Sequence, residues 1–227
     1  NYDLKKFSHK EAIRHFKEHG ISEGRIGSKM AYRENFIKSM DKSAESILEI
    51  GPFANPCFSG NKVKYFDVLN HDQLHQRAKE HKLNESKIPK LIHYVDAKGD
   101  LSIIDDSFDM VFSCHCIEHQ PDLIEHLIGL SRLTSETGNI VLIIPDKRFC
   151  FDYFIPESDL ATVISAHLEK HTLHTQINVI RHRMLTTHNN PIDHWNHNHG
   201  ELGFDSDKLD ATVKEWEDNI GKYIDVH

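Results

Sequence analysis

The sequence of 227 residues lacks any apolar run near the roughly 20 residues that would span a bilayer. Only four cysteines occur, and none of them forms a C-x-x-C pair. A disulfide framework is not expected in a domain of this length, so the thiols favour a reducing, cytoplasmic compartment. No basic-then-apolar leader is visible at Asn1, and no secretory signal is therefore predicted.

An excess of positive charge is also missing. The chain has 27 Lys and Arg residues against 35 Asp and Glu residues, which gives a formal net charge of −8. A surface of that sign has no general attraction for nucleic acid phosphates or anionic lipids. We therefore expect no nucleic acid partner and no membrane span. No pattern in the sequence sets an oligomeric state.

Short apolar strands that alternate with helices fill the first two thirds of the chain. The pattern predicts strands at 46–50, 63–67, 91–95, 108–113 and 140–144, and helices at 8–19, 28–42, 71–81 and 121–133. This alternation is typical of an α/β fold with a Rossmann-like parallel sheet, helices on both faces and additional N-terminal helices. Ligands of such sheets bind beyond the carboxyl ends of the strands.

The pattern changes after residue 148. Helices are predicted at 159–168, 176–186 and 205–216, with a loop rich in His and Asn before the last helix and a strand at 223–226. We expect a single domain over 1–227, with a core at 45–148 and a helical insertion on the acceptor side at 149–204. A sheet of this kind usually continues with an antiparallel hairpin, so we expect further sequence after His227.

Chemistry-bearing residues follow three of the predicted strands. Gly51 ends the first strand, and the G-x-G-x-x-G fingerprint of dinucleotide sites is absent. Asp67 ends the second strand, where a carboxylate would meet ribose hydroxyls, and Asp96 ends the third, where it could accept from an adenine amine. Each residue alone is a common turn residue, but their joint occurrence predicts one nucleoside site.

These residues, together with Asp96-Ala97, the turn at 107–109, Ile117-Glu118-His119 and the turn at 133–138, resemble class I S-adenosylmethionine-dependent methyltransferases over about residues 45–148. The resemblance implies S-adenosylmethionine as cofactor, with Gly51 under its methionine part, Asp67 at the ribose and Asp96 at the adenine. It implies a cofactor-binding set made of Glu49, Gly51, Pro52, Asp67, Asp96, Ala97, Ser113 and His115.

The segment 145–152 (PDKRFCFD) resembles a subgroup of bacterial methyltransferases found with capsule and surface-polysaccharide synthesis. That resemblance implies an O-methyltransferase with a small-molecule or glycan acceptor, either a sugar hydroxyl or a sugar-linked phosphate or phosphoramidate. Lys147 and Arg148 would receive an anionic acceptor, or they are solvated cations. The segment 193–196 forms either an acceptor wall or a surface loop.

The segment HCIEH can place His115, Glu118 and His119 on one helical face, where they could hold a divalent Mn, Mg, Fe or Zn ion. Small-RNA and ubiquinone O-methyltransferases are similar here, and the small-RNA enzymes add a histidine from an H-x-H segment. His197-Asn198-His199 matches that segment, with His199 as the implied metal ligand. In metal-free relatives the histidine packs or acts as a base. His119 and His197 are the predicted catalytic bases.

Three alternatives remain open at the level of sequence. An RNA 2'-O-methyltransferase is suggested by the HxxEH and HxH segments, although the acidic balance opposes it. H-x-x-E-H is also the motif of inverted zinc peptidases, which requires an uninterrupted helix. A non-catalytic relative that serves as a partner subunit would not need the acidic strand ends.

Overall fold

The computed structural model describes residues 6–20, 22–23, 32–42 and 44–226. The chain divides into two compact units, Asn1–Ala44 and Glu45–His227. In the first unit, helix α1 spans His9–His15 and continues as a π-helix over Phe16–Gly20, and helix α2 spans Arg33–Asp41. The predicted helix at 8–19 is thus confirmed, whereas residues 28–31 of the second predicted helix lie outside the described residues.

The second unit is built on a five-stranded sheet in which every pair of neighbours is parallel. The strand order is β3-β2-β1-β4-β5. The strands are β1 (Ile47–Ile50), β2 (Val63–Asp67), β3 (Tyr94–Val95), β4 (Phe108–Cys114) and β5 (Thr134–Ile143). Helices surround this sheet, so the predicted α/β fold with a parallel sheet is confirmed.

The central strand β1 is buried along its whole length. Because side chains alternate along a strand, Leu48 and Ile50 lie on one side and join a core cluster with Phe66, Val111 and Leu130. Strands buried on both faces appear in the sequence as continuous apolar runs, which is why the pattern of this region predicted them well. The same arrangement brings the ends of β1, β2 and β4 together at one edge.

Six helices follow or flank the strands of the second unit. They are α3 (His71–Glu80), α4 (Leu123–Leu133), α5 (Leu160–Leu168), α6 (Gln176–Leu185), α7 (Pro191–Trp195) and α8 (Ser206–Asp218). Side chains that precede the helices accept backbone N–H groups, as Asn70 does for α3 and Asp122 for α4. Among the described residues, no helix combines the length and the apolar character needed to cross a membrane.

The structure differs from the predicted elements in three strands. The fifth strand begins at Thr134, six residues before the predicted 140–144. The third strand is limited to Tyr94–Val95, which is shorter than the predicted 91–95. The predicted strand at 223–226 is wrong, because this segment pairs with no strand of the described sheet. Side chains and carbonyls hold it instead, since Asp225 contacts Arg77 and the carbonyl of Val226 accepts from His119.

Candidate functional site

The carboxyl ends of β1, β2 and β4 border a cavity of about 580 Å3. A volume of this size is typical of a site for a small molecule or a cofactor. The loop after β3 contributes Lys98 and Gly99 to the lining, and the segment after α6 contributes Asn189. The cavity therefore occupies the edge of the sheet where the sequence predicts a ligand.

Gly51 forms the wall of this cavity at the end of β1. Its φ is +69°, a conformation that favours glycine, and its N–H donates to the Phe66 carbonyl at 2.9 Å. A Cβ at this position would lie 3.3 Å from the sulfur of Cys116. Burial raises the pKa of Cys116 to about 12, so the thiol behind Gly51 is neutral. The absence of a side chain thus lets a ligand approach the backbone.

Asp67 lines the cavity at the end of β2 and is only 6% exposed. Its Oδ1 accepts from the N–H of Leu69 at 2.9 Å, which fixes the carboxylate at the turn. Burial raises the pKa of Asp67 to about 6. At neutral pH the group is an ionised acceptor in a poorly hydrated place, which suits it to bind a pair of hydroxyls.

Two other predicted cofactor residues are buried in the sheet and do not line the cavity. Glu49 is 2% exposed, and its carboxylate accepts from the N–H groups of Cys57 at 2.6 Å and Phe58 at 3.0 Å. Ser113 is 1% exposed and is paired with Ile50 inside the sheet. Glu49 therefore organises the loop that follows β1, and burial raises its pKa to about 7.

Three more predicted cofactor residues, Pro52, Asp96 and Ala97, also do not line the cavity. Asp96 instead shapes its turn, because its Oδ1 accepts from the N–H groups of Lys98 at 2.8 Å and Asp100 at 3.0 Å. The cavity lining comes from the residues just beyond, namely Lys98 and Gly99 after β3 and Phe53 after β1. Turn geometry of this kind cannot be read from the spacing of residues.

The HCIEH segment does not form the helical face that its spacing predicts. His115 has a φ of +54°, and its N–H donates to the Ile143 carbonyl at 2.9 Å, so it continues the pairing of β4 with β5. Only Ile117–His119 forms a single 3-10 turn. His115, Glu118 and His119 line the cavity, but the uninterrupted helix of an inverted zinc peptidase is not present at 115–119.

The ring of His119 is held by the C-terminal segment. Its Nδ1 lies 3.0 Å from Asp225 Oδ1 and 2.9 Å from the carbonyl oxygen of Val226. A carbonyl oxygen only accepts hydrogen bonds, so Nδ1 carries a proton, and in the neutral form of the ring the lone pair is on Nε2. His119 therefore has the tautomer that a general base acting through Nε2 requires.

Asp225 also binds Arg77 of α3 and accepts from the Tyr223 hydroxyl at 3.1 Å. Burial acts to raise its pKa, but the hydrogen bond with His119 and the charge of Arg77 hold that pKa well below its usual value. Asp225 and Arg77 both line the cavity, and sequence reasoning missed both. They are 148 residues apart, and no local motif connects them.

The predicted H-x-H ligands lie elsewhere. His199 stacks on Tyr153 with ring centroids 3.6 Å apart, and its Nδ1 lies 3.0 Å from Nδ1 of His194. His197 is exposed, and neither His197 nor His199 lines the cavity. In the part of the chain that the structure describes, no three His, Cys, Asp or Glu side chains are grouped to hold a metal ion. His199 therefore does not join His115, Glu118 and His119, which line the cavity together.

The predicted anion-binding cations are engaged with the protein. Lys147 donates to the Tyr153 carbonyl at 3.0 Å, and Arg148 makes a bidentate pair with Asp146. Neither cation lines the cavity. From the same part of the chain, after β5, Phe151 and Asn189 line the cavity instead.

Replacing Asp225 with alanine should destabilise the fold by about 1–2 kcal/mol, because Arg77 and His119 lose a shared, partly buried partner. For a chain of this size that corresponds to a melting temperature roughly 3–8 °C lower. Thermal unfolding at pH 7 measures the difference. The exposed Asp218 at the end of α8 provides the matched control, and its replacement by alanine should leave the melting temperature unchanged. Equal melting temperatures for the two variants would contradict the role given to Asp225.

Residues 56–142 match a family model described as a methyltransferase domain. This segment runs from the loop after β1 to the end of β5 and includes Asp67, Glu118 and His119. Residues 56–142 are therefore similar to a methyltransferase domain, which agrees with the enzyme class predicted from the sequence. No match to a curated protein is found for this chain.

Solved structures with partial similarity include methyltransferases. The YcgJ protein of Bacillus subtilis is 22% identical with a TM-score of 0.34, and 48% of this chain aligns with 49% of that one. An S-adenosylmethionine-dependent methyltransferase of Clostridium acetobutylicum is 12% identical with a TM-score of 0.37, with coverages of 65% and 61%. This chain thus spans about half to three fifths of the length of these two proteins. Similarity at this level identifies no substrate.

Proposed function

We propose that this methyltransferase takes the methyl group of S-adenosylmethionine and transfers it to a hydroxyl oxygen of a small or glycan-linked acceptor. The observation that carries the proposal is the single cavity that joins Gly51 and Asp67 at the ends of neighbouring strands to His119 at the end of β4. A donor site and a base thus face the same space. The match to a methyltransferase domain supports the reaction class.

The residues present fit the adenosyl donor. Asp67 offers an ionised carboxylate for two ribose hydroxyls, and the open backbone at Gly51 leaves room for the methionine part. Phe53 adds an aromatic ring to the same wall, with the guanidinium of Arg77 5.8 Å from the ring centroid. When bound, the sulfonium supplies an activated methyl group.

His119 is the proposed general base. Its protonated Nδ1 is fixed by Asp225 and Val226, and Nε2 is the nitrogen that takes the proton of the acceptor hydroxyl. The hydroxyl oxygen then forms a bond to the methyl carbon, the carbon–sulfur bond breaks, and its electron pair stays on the sulfur. The chain contributes mainly by holding the two reactants in line and by keeping the base in one tautomer.

A neutral sugar hydroxyl is the proposed acceptor, in keeping with the resemblance of 145–152 to methyltransferases of surface-polysaccharide synthesis. Lys147 and Arg148 already bind Tyr153 and Asp146, so they do not favour a phosphate or phosphoramidate acceptor. The lining by Asn189 and Phe151 suits a ligand with neutral polar groups and an apolar face. No step is routed through a metal, because no group of three His, Cys, Asp or Glu side chains among the described residues could hold one.

Isothermal titration with S-adenosylmethionine and S-adenosylhomocysteine tests the donor site. We expect saturable binding of both at one site per chain, followed by transfer of labelled methyl from the donor to neutral saccharides in preference to sugar phosphates. The absence of detectable donor binding at millimolar concentration would overturn the proposal. Binding without transfer to any hydroxyl acceptor, but with transfer to phosphate esters, would overturn the choice of acceptor.

Donor affinity should fall as the pH drops below about 6. Burial raises the pKa of Asp67 to about 6, and only the ionised form accepts from both ribose hydroxyls. At pH 5 about one molecule in ten remains ionised, so the dissociation constant should rise about tenfold between pH 7.5 and pH 5. Titration of S-adenosylhomocysteine across this range measures the effect without methyl transfer. An affinity that is flat from pH 7.5 to pH 5 would show that Asp67 does not bind the ribose as a carboxylate.

A further inference from the structure

Trp195 at the end of α7 is a large apolar side chain that the fold leaves in solvent. It is 61% exposed, and its ring packs against that of Phe149 with the two centroids 4.5 Å apart and an angle of 31° between the planes. The guanidinium carbon of Arg148 lies 5.4 Å from the centroid of the same Phe149 ring. A single exposed apolar residue is common, but an exposed indole that is fixed against a second aromatic ring is a preformed stacking surface. Phe149 and Trp195 together form this aromatic platform.

The platform is held in place by both segments that supply its rings. The 3-10 turn Lys147–Phe149 is capped by Asp146, whose side chain accepts a backbone N–H of the turn. On the other segment, His194 is 1% exposed, and its Nε2 lies 2.9 Å from the carbonyl oxygen of His188. Neighbouring residues of a helix lie on different faces, so His194 anchors α7 inside the protein while Trp195 faces water. A surface that is fixed before binding loses little conformational entropy when a ligand docks on it.

The same two segments also border the cavity. Phe151 and Asn189 belong to its lining, and the N–H of Thr187 donates to the Phe151 carbonyl at 2.9 Å, so the segments run side by side at this point. The Cα atoms of Phe149 and Phe151 are two residues apart and therefore separated by at most about 7 Å. Trp195 ends the short helix that follows Asn189. A short chain-like ligand with one end in the cavity can therefore reach the platform.

The polar groups beside the platform match a neutral ligand. Arg148 makes a bidentate pair with Asp146, with contacts of 3.0 and 2.6 Å, and a paired cation attracts a phosphate only weakly. Directly after Trp195, residues 196–198 are exposed and supply two amides and an imidazole, which both donate and accept hydrogen bonds. A pyranose ring has an apolar C–H face and a rim of hydroxyls. It is thus complementary to an aromatic face that is bordered by such groups, whereas the net charge of −8 opposes a nucleic acid.

We propose that Phe149 and Trp195 form a saccharide subsite that holds one sugar unit of a glycan acceptor outside the cavity, while another unit of the same glycan presents its hydroxyl inside it. This inference rests on the proposed function and narrows the acceptor to an oligosaccharide or a longer glycan. Binding away from the reacting atoms contributes to the affinity for long acceptors, so its loss should appear in their KM.

Saturation-transfer NMR with neutral tetrasaccharides of glucose, galactose and N-acetylglucosamine tests the subsite without methyl transfer. We expect the parent protein to bind at least one of them at millimolar concentration. Trp195→Ala should raise its dissociation constant about 5–10-fold, and Trp195→Phe, which keeps a ring, should stay within about threefold of the parent. Ile192→Ala is the matched control, because Ile192 is 70% exposed on the same helix but has no ring, and it should bind like the parent.

Methyl transfer to the bound tetrasaccharide and to the corresponding methyl glycoside gives the second readout. Trp195→Ala should raise KM for the tetrasaccharide about 5–10-fold, with kcat unchanged and KM for the methyl glycoside unchanged. The inference would be overturned if the parent bound none of the tetrasaccharides. Equal losses in Trp195→Ala and Ile192→Ala would also overturn it and would indicate an apolar surface for a protein partner. Saccharide binding that depends on Trp195, in a protein that does not bind S-adenosylmethionine, would instead overturn the proposed function.

Discussion

Replacing Asp67 with alanine should weaken binding of S-adenosylmethionine on the order of 100-fold, because two charge-assisted hydrogen bonds to the ribose are lost together. The fold should survive. The carboxylate accepts from the N–H of Leu69 at 2.9 Å, and because Leu69 lines the cavity, water can replace the carboxylate as the acceptor. Calorimetric titration gives the affinity, and thermal unfolding shows that the variant is folded.

Two further substitutions show whether the loss of affinity is specific to the carboxylate of Asp67. Asp67→Asn keeps the shape of the side chain and one acceptor oxygen but cannot ionise. Its affinity for S-adenosylmethionine should be about tenfold lower than that of the parent at pH 7, and it should not change further as the pH falls. Asp106→Ala is the matched control, because Asp106 is half exposed, precedes β4 and pairs with Lys64 far from the cavity lining. An equal loss of affinity in Asp106→Ala would show that the effect is general to the fold.

Replacing Glu49 with glutamine should remove a large part of the pH dependence of stability. Burial raises the pKa of Glu49 to about 7, above the ordinary value of 4.5, so the folded protein binds the proton more tightly than the unfolded chain does. Between these values stability must therefore fall as the pH rises, and it levels off above about pH 7. Over this pH range the folded protein loses about 3 kcal/mol of its free energy of unfolding through Glu49.

The difference in the free energy of unfolding between the variant and the parent isolates the contribution of Glu49, because Asp67 and His126 titrate in both proteins. Urea unfolding at pH 4.5 and pH 7.5 should show the free energy of unfolding of the parent falling relative to that of Glu49→Gln. Glu136→Gln, at an exposed position of β5, should follow the parent. Parallel curves for parent and Glu49→Gln would mean that the N–H groups of Cys57 and Phe58 keep the carboxylate ionised in the fold.

The sequence predicts the centre of the sheet well because β1, β2 and β4 are short, apolar and mostly buried. Val63–Asp67 matches its predicted bounds, and the two residues that end β1 and β2, Gly51 and Asp67, line the cavity as expected. Position at the carboxyl end of a parallel strand places these two residues at the edge of the site, whereas Asp96 after β3 does not line the cavity. This inference requires only the order of the elements along the chain.

The parts that sequence reasoning missed depend on dihedral angles and on contacts between distant segments. His115 takes a φ of +54°, which breaks the helical spacing that a metal face would need. Glu49 points away from the cavity because alternation along β1 puts it on the face opposite to Ile50. Asp225 reaches Arg77 from far along the chain. Spacing within a motif carries no information on any of these three features.

The thiol behind Gly51 has a consequence for chemical labelling. The pKa of Cys116 near 12 leaves almost no thiolate at neutral pH, so alkylating reagents and peroxide should react with it slowly although it lines the cavity. A bound donor would cover the thiol. Slower alkylation of Cys116 in the presence of a ligand would therefore give a second, independent measure of occupancy.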